Sequence, residues 1–316
     1  MFVLRCLGVS LSSFLVFYAA LSLIVMRGWR MACRACAKMS ALRTANVLFT
    51  LRTLPFATAL LITAIFVIPS FLLLEPRVVA EPIGEIPLTL GAICLLLLGA
   101  GIGNAIHAER KTADAVKGWL RDATTDVNCY PVPLFRIRPS SPALAVAGGL
   151  SPKVLLSESA AALLSPYELE AALKHELAHI ERRDNLKKLL FRLFSFPGLS
   201  TLESAWSDKA EMAADDAAVS NSREALDLAS ALIKLSRFAS PQKPAILATC
   251  LAQTPGSTLN ARIERLIAWD ETHTGTSPES LLKYAMPVFL ALSIWVVATY
   301  GVALSDMHKM TEWLVQ

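Results

Sequence analysis

The sequence predicts a multi-pass α-helical membrane protein of four spans carrying a mainly α, α+β domain on the cytoplasmic side, and three observations carry that prediction. Apolar residues make up 54% of the chain. Four runs, about 6–26, 54–74, 86–106 and 284–304, have few or no charges, and each reaches the roughly 20 residues that a bilayer span needs. Between the third and fourth runs lies a stretch long enough to bury a core of its own. The expected division is 1–106 for three spans, with a basic loop at 27–53, then 107–283 for the cytoplasmic domain, and 284–316 for the last span with a short external tail.

Loop charge sets the orientation. Arg27, Arg30, Arg34, Lys38, Arg43 and Arg52 lie between the first two runs with no acidic residue among them, the signature of a cytoplasmic loop. The next turn carries Glu75, Glu81 and Glu85 against Arg77 alone, which places it outside. Both termini are then external in a plasma or inner membrane. The first run resembles a signal peptide only in length: its positive charges, Arg27 and Arg30, follow the apolar core, and no A-x-A site precedes them. An uncleaved anchor is expected. Trp29 and Trp295 are candidate interface anchors.

The net charge of +4 comes largely from the basic loop, so it points to anionic lipid heads rather than to nucleic acid. Cys33 and Cys36 form a C-x-x-C without a second pair at zinc-site spacing, and in a reducing compartment they read as free thiols. Gly99 and Gly103 form a G-x-x-x-G, read as a close-packing site in the third span. His107, His273 and His308 stand outside any ligand spacing.

Within the cytoplasmic domain, Glu109 to Asp126 reads as a helical connector. Three short strands follow at 134–138, 144–147 and 153–156, punctuated by Pro139, Pro142, Gly148, Gly149 and Pro152. They predict a small sheet packed on the next helix. Leu144 to Ala147 is expected to be an edge strand, able to receive an extended peptide by strand addition.

That next helix holds the chemistry. Ser165-Pro166-Tyr167-Glu168 offers an N-cap serine, a proline at the first helical position and a capping-box glutamate. Leu169, Ala172, Leu173, Leu177 and Ile180 repeat at helical spacing as far as about Asp184. His175-Glu176-Leu177-Ala178-His179 is set inside it. Residues four apart on a helix are separated by about 40° and about 6 Å, so both imidazoles can grip one metal ion, with Glu176 about 100° round from the first. A carboxylate there suits a base for a metal-bound water. Lys174, Glu181, Arg182 and Arg183 on the same run place this chemistry in water rather than lipid.

A tetrahedral zinc needs another protein ligand and a water. Glu203 to Ala218 reads as a second helix, on which Glu211 and Asp215 share a face. Glu211 can ligate while Asp215 accepts a hydrogen bond from a liganding imidazole. Glu203 is the rival ligand. A third histidine of the metzincin kind is absent, because the chain continues Ile180-Glu181-Arg182-Arg183-Asp184.

Taken together, His175 to Ile180 with Arg183-Asp184, the preceding Pro142 to Gly148, and Glu211 to Asp215 resemble the gluzincin membrane metallopeptidases. The nearest type is the zinc-protease part of the beta-lactam-sensing antirepressors, with the CAAX-protease and heat-shock membrane protease group related. The resemblance implies a zincin-like metallopeptidase domain between the third and fourth spans, Zn2+ on His175, His179 and Glu211, and Glu176 as the catalytic glutamate. Two departures stand out. Phe194-Ser195-Phe196-Pro197-Gly198 replaces the aromatic Asn-Pro signature, and with Gln316 close behind the fourth span no C-terminal penicillin-binding sensor is expected.

The expected reaction is hydrolysis of peptide bonds in a protein or peptide substrate, a transcriptional repressor or the chain itself, in regulatory proteolysis. Quality control of membrane proteins and a non-cleaving signalling scaffold are the alternatives. A transporter is disfavoured because only scattered Ser, Thr and Asn104 interrupt the spans. Arg262 and Arg265 are candidates for a second oxyanion donor, though they read first as charges on a solvated helix face, and Leu186 to Phe194 reads as a basic amphipathic helix, either on the inner leaflet or in the domain core.

Overall fold

The computed structural model describes residues 2–36, 38–75, 84–121, 123–126, 133–138, 142–238, 247–251, 256–269 and 299–311. Among the described residues, three helical stretches are long and apolar enough to cross a membrane: α1 (Phe2–Ala35), the Ala41–Leu74 stretch and α4 (Glu85–Leu120). The middle one is α2 (Ala41–Ile62), a π-helical turn at Thr63–Val67 and α3 (Ile68–Leu74). Of the fourth expected span, 284–298 lies outside the described residues; 299–311 is helical.

The chain divides into two units. The first is Met1–Gly28, Thr53–Ala100 and Thr274–Gln316. Its centre is aromatic: the Phe56 ring meets Phe14 and Tyr18 edge-on, at centroid distances of 5.4 and 5.6 Å. Arg5 is paired with Glu75 at 3.0 Å, both nearly buried, which neutralises two charges within an apolar bundle. Gly99 and Gly103 have open space where a Cβ would stand. The G-x-x-x-G is therefore not a packing site among the described residues. The close approach belongs instead to Gly101 in the second unit, where a side chain would collide with the carbonyl oxygen of Leu193.

The second unit is Trp29–Arg52 with Gly101–His273. Here α4 runs unbroken to Leu120, so the connector expected at 109–126 is the end of that helix followed by strand β1 (Thr124–Asp126). With β2 (Leu134–Ile137), β3 (Leu144–Ala147), β4 (Lys153–Ser157) and β5 (Ala248–Cys250) it forms a five-stranded sheet of order β1-β2-β4-β3-β5. Only β2 and β4 run parallel. Strand β3 is internal, held on one side by β4 and on the other by β5, with Val146 opposite Thr249. The expectation of an open edge there is overturned, since β5 already pairs with it.

Period-two alternation sends the strand side chains to two cores. Leu134, Leu144, Val146, Val154 and Leu156 pack with α6 (Pro166–Glu181), α9 (Ser222–Phe238) and α10 (Gly256–Ile267), while Ile137, Ala147, Leu155 and Ala248 pack with Val116 of α4. The short α5 (Glu158–Leu163) leads from β4 to α6 and is capped by the Ser157 hydroxyl.

The capping box of α6 forms as the sequence leads one to expect. Ser165 N–H donates to Glu168 Oε2 at 2.8 Å, and Glu168 N–H donates to Ser165 Oγ at 3.3 Å. Glu168 also accepts from Ser230 and Lys234 of α9, tying the first turn of α6 to the middle and second half of α9. The metal helix is shorter than expected. It stops at Glu181, Arg183 adopts a left-handed conformation at φ 53°, and α7 (Asp184–Leu193) departs in a new direction. Buried Phe191 of α7 packs edge-on against Trp206 of α8 (Ser200–Ala218), at 5.0 Å between centroids. On that side, at least, α7 belongs to the domain core.

Candidate metal centre

Helix α6 brings His175 and His179 to one face, where their Nε2 atoms stand 3.1 Å apart. Helix α8 brings Glu211 against them, with Oε2 at 3.5 Å from His175 Nε2 and Oε1 at 3.5 Å from His179 Nε2. A tetrahedral ion with ligand bonds of about 2.0–2.1 Å keeps its ligand atoms about 3.3 Å apart. The separation of the two nitrogens fits that edge length, and each Glu211 oxygen lies about one edge from one of them.

The rear of each ring explains why these atoms suit a cation. His175 Nδ1 lies 3.0 Å from Asp215 Oδ1, and His179 Nδ1 lies 2.8 Å from Asp184 Oδ2. A carboxylate at that position holds the ring proton on Nδ1 and leaves the lone pair on Nε2. Two such lone pairs and a carboxylate then converge in a space where His175 and Glu176 are 0% exposed, His179 3% and Glu211 7%. Bare, the arrangement is repulsive; a shared proton or a metal ion relieves it. Two imidazoles with one carboxylate suit zinc and its transition-metal neighbours, whereas calcium and magnesium prefer oxygen.

These residues also form a group able to hold a metal by donor type and spacing: His175, His179 and Glu211, all buried. The profile of one protein family, described as BlaR1 peptidase M56, matches residues 105–266, just over half of the chain. The chain belongs to that family. M56 membership makes it a membrane-associated metallopeptidase, a hydrolase with a site of the kind just described. No curated protein matches the chain.

Charge in this M56 centre is held in balance by its neighbours. Burial would raise the Glu211 carboxyl, but His179, Arg262 and His175 outweigh it and hold it down to about 2. Burial pushes Glu176 up to about 8. For His175 burial acts downward, yet Asp215 and Glu211 overcome it and bring the imidazole up to about 9, while His179 is lowered by burial. Without an ion, then, the site retains a proton on the imidazole pair, held by Asp215 behind the His175 ring and by Glu211, the carboxylate that would face a cation.

Glu176 is reached by β5. The Thr249 hydroxyl donates to its Oε2 at 3.3 Å, and its Oε1 has no hydrogen-bond partner among the described residues. Glu203, the rival ligand, is turned elsewhere: its Oε1 accepts from Arg52 Nε at 2.9 Å.

Arg262 corrects the sequence reading most sharply. It is 0% exposed and lies on no solvated face. Its Nε and Nη2 donate to the two oxygens of Asp215 at 2.8 and 2.7 Å, and its Nη1 stands 2.9 Å from Glu211 Oε2. One guanidinium thus braces both carboxylates that α8 presents. Arg265, one turn-fraction further on, is half-buried and pairs with Asp216. Asp184 was visible only as part of the family resemblance; its role behind His179 depends on the chain reversing at Arg183, which spacing along a single helix cannot foretell. Arg182 completes that corner, donating to Asp184 Oδ2 at 2.6 Å and to the Ala210 carbonyl of α8 at 2.7 Å.

Proposed function

We propose that this chain is a zinc metalloendopeptidase of the membrane, cutting peptide bonds of cytoplasmic or membrane-proximal proteins in regulatory proteolysis. The observation that carries the proposal is the convergence of two imidazoles and one carboxylate: His175 Nε2 and His179 Nε2 stand 3.1 Å apart, with Glu211 Oε2 3.5 Å from the first and Oε1 3.5 Å from the second. His175, His179 and Glu211 would hold the ion. Bound there, zinc supplies Lewis acidity, which acidifies a water and polarises a carbonyl oxygen.

The rest is done by the chain's own side chains. Glu176, whose proton affinity burial raises, would as the carboxylate take the proton of the attacking water at its unpartnered Oε1 and pass it to the leaving amine. Thr249 fixes the other oxygen of that carboxylate. Asp215 and Asp184 hold the two rings in the tautomer that presents Nε2, and Arg262 fixes Asp215 in turn. The group is almost completely buried, which lowers the local dielectric around these charges.

The basic loop argues for the catalytic unit facing the cytoplasm and for both termini outside, with a fourth span near 284–304. The test is a comparison of cleavage products in cells making the wild-type chain or Glu176→Gln. The variant should keep its metal and lose cleavage of itself or of a partner. Full proteolysis by Glu176→Gln removes Glu176 from the role of base.

A further inference from the structure

The end of α1 shapes a second feature that the protease reading leaves unused. Beside the α1–α2 turn lies an open cleft of about 470 Å³ whose lining includes Trp29, Arg30, Cys33, Arg34, Thr44 and, from α8, Lys209. Its described lining carries three cations and no carboxylate. By contrast, Arg52, Lys187, Lys234, Arg262 and Arg265 of the same unit each meet an acidic partner. Arg30 and Arg34 meet none within 4 Å among the described residues; Arg30 stacks over the Trp29 ring at 5.6 Å. Lys209 Nζ makes no ion pair within 4 Å among the described residues; it contacts the Met212 sulfur at 3.7 Å and feels the Asp208 carboxylate at longer range.

Three like charges gathered around a cleft whose described lining has no carboxylate are unfavourable. Arg30 and Arg34, four apart on one helix, repel each other, and no acidic residue in the loop relieves them. An anion in the cleft would. Which anion is decided by the helix itself. At 100° per residue Val16, Leu23, Arg27, Arg30 and Arg34 fall on one face of α1, and Val16 and Leu23 are about two-fifths exposed. An apolar strip leading into a cationic pocket at the end of a membrane-spanning helix matches an acyl chain below and a phosphate above.

We propose that this cleft binds the headgroup phosphate of an anionic phospholipid, held by Arg30, Arg34 and Lys209. Lys209 lies two residues before Glu211 on α8, so the bound lipid ties the helix that supplies a carboxylate of the metal centre to the membrane surface.

The experiment uses the full-length chain in nanodiscs, with native mass spectrometry counting retained lipids. Three preparations are compared: phosphatidylglycerol, phosphatidylcholine, and phosphatidylglycerol with millimolar inorganic phosphate. Retention of phosphatidylglycerol over phosphatidylcholine is expected, with affinity falling about fivefold for each of Arg30→Gln, Arg34→Gln and Lys209→Gln and about a hundredfold for the triple variant. Arg30 and Arg34 are exposed, so their single variants leave no core defect and remain informative if the triple variant folds poorly. Equal retention of the two lipids, or retention indifferent to all three single substitutions, overturns the site. Displacement by free phosphate at comparable concentration overturns the lipid and leaves a soluble anion as its occupant.

Discussion

Arg262 offers the most demanding test of the electrostatics, because one substitution separates the protein's need for the guanidinium from its need for a metal. Arg262→Met keeps most of the side-chain volume and removes the charge that pairs with Asp215 at 2.7 Å and with Glu211 at 2.9 Å. Both carboxylates are then left buried, and removing one member of a buried ion pair costs about 3–5 kcal/mol. In a domain of this size that corresponds to a fall in melting temperature of roughly 6–20 °C. A bound divalent ion offsets part of the loss, since Glu211 faces the metal position directly and Asp215 reaches it through His175. The variant should therefore depend on metal more than the wild type does. The assay is thermal unfolding of the full-length chain in detergent micelles, followed by tryptophan fluorescence, with and without a chelator. The chelator should lower the melting temperature of Arg262→Met by clearly more than it lowers that of the wild type, and Arg262→Lys should fall between them because it restores the charge without the two-pronged geometry. An equal chelator effect in both proteins, or an unchanged melt of the metal-free variant, refutes the bracing role.

Two further outcomes follow from the same contacts. Asp184→Asn replaces the acceptor 2.8 Å from His179 Nδ1 and should weaken zinc binding about 10- to 100-fold in a chelator competition; unchanged affinity would remove Asp184 from the ring-orienting role. Glu168, although burial acts to raise it, is held down to about 2 by Lys234, Ser230 and the Ser165 N–H. A carboxyl depressed in the folded state stabilises at pH values above its unfolded pKa of about 4.3, and that contribution, up to about 3 kcal/mol, is lost as the pH falls toward 2. Glu168→Gln can keep the capping box while removing the charge. The gap in melting temperature between wild type and Glu168→Gln should be full at pH 6 and shrink steadily below about 4.3, and a gap independent of pH contradicts the assignment.

What could be read in advance was whatever a single helix encodes. The capping box at Ser165, the i, i+4 imidazoles and the i, i+4 pair Glu211 and Asp215 depend on local spacing, and the structure brings all of them together. What escaped depends on segments distant in sequence. Arg262 sits on an amphipathic helix where a basic residue ordinarily faces water; its partner is 47 residues upstream. The edge of β3 is taken by Ala248–Cys250, about a hundred residues later and too short to announce itself as a strand. Gly99 and Gly103 satisfied a packing motif, yet the close approach falls at Gly101, where α4 meets the end of α7. Periodicity says which face a residue occupies; it does not say what arrives on the other side.

The central claim is that two imidazoles from α6 and one carboxylate from α8 hold a single metal ion. X-ray absorption at the zinc edge on the purified full-length chain, with metal content measured on the same sample, tests it most directly. The account predicts close to one zinc per chain, surrounded at about 2.0–2.1 Å by two imidazoles and oxygen donors, and loss of most of that zinc in His175→Ala and Glu211→Ala. A wild-type spectrum with sulfur neighbours, or a Glu211→Ala variant that keeps the same metal content and the same spectrum, would contradict it.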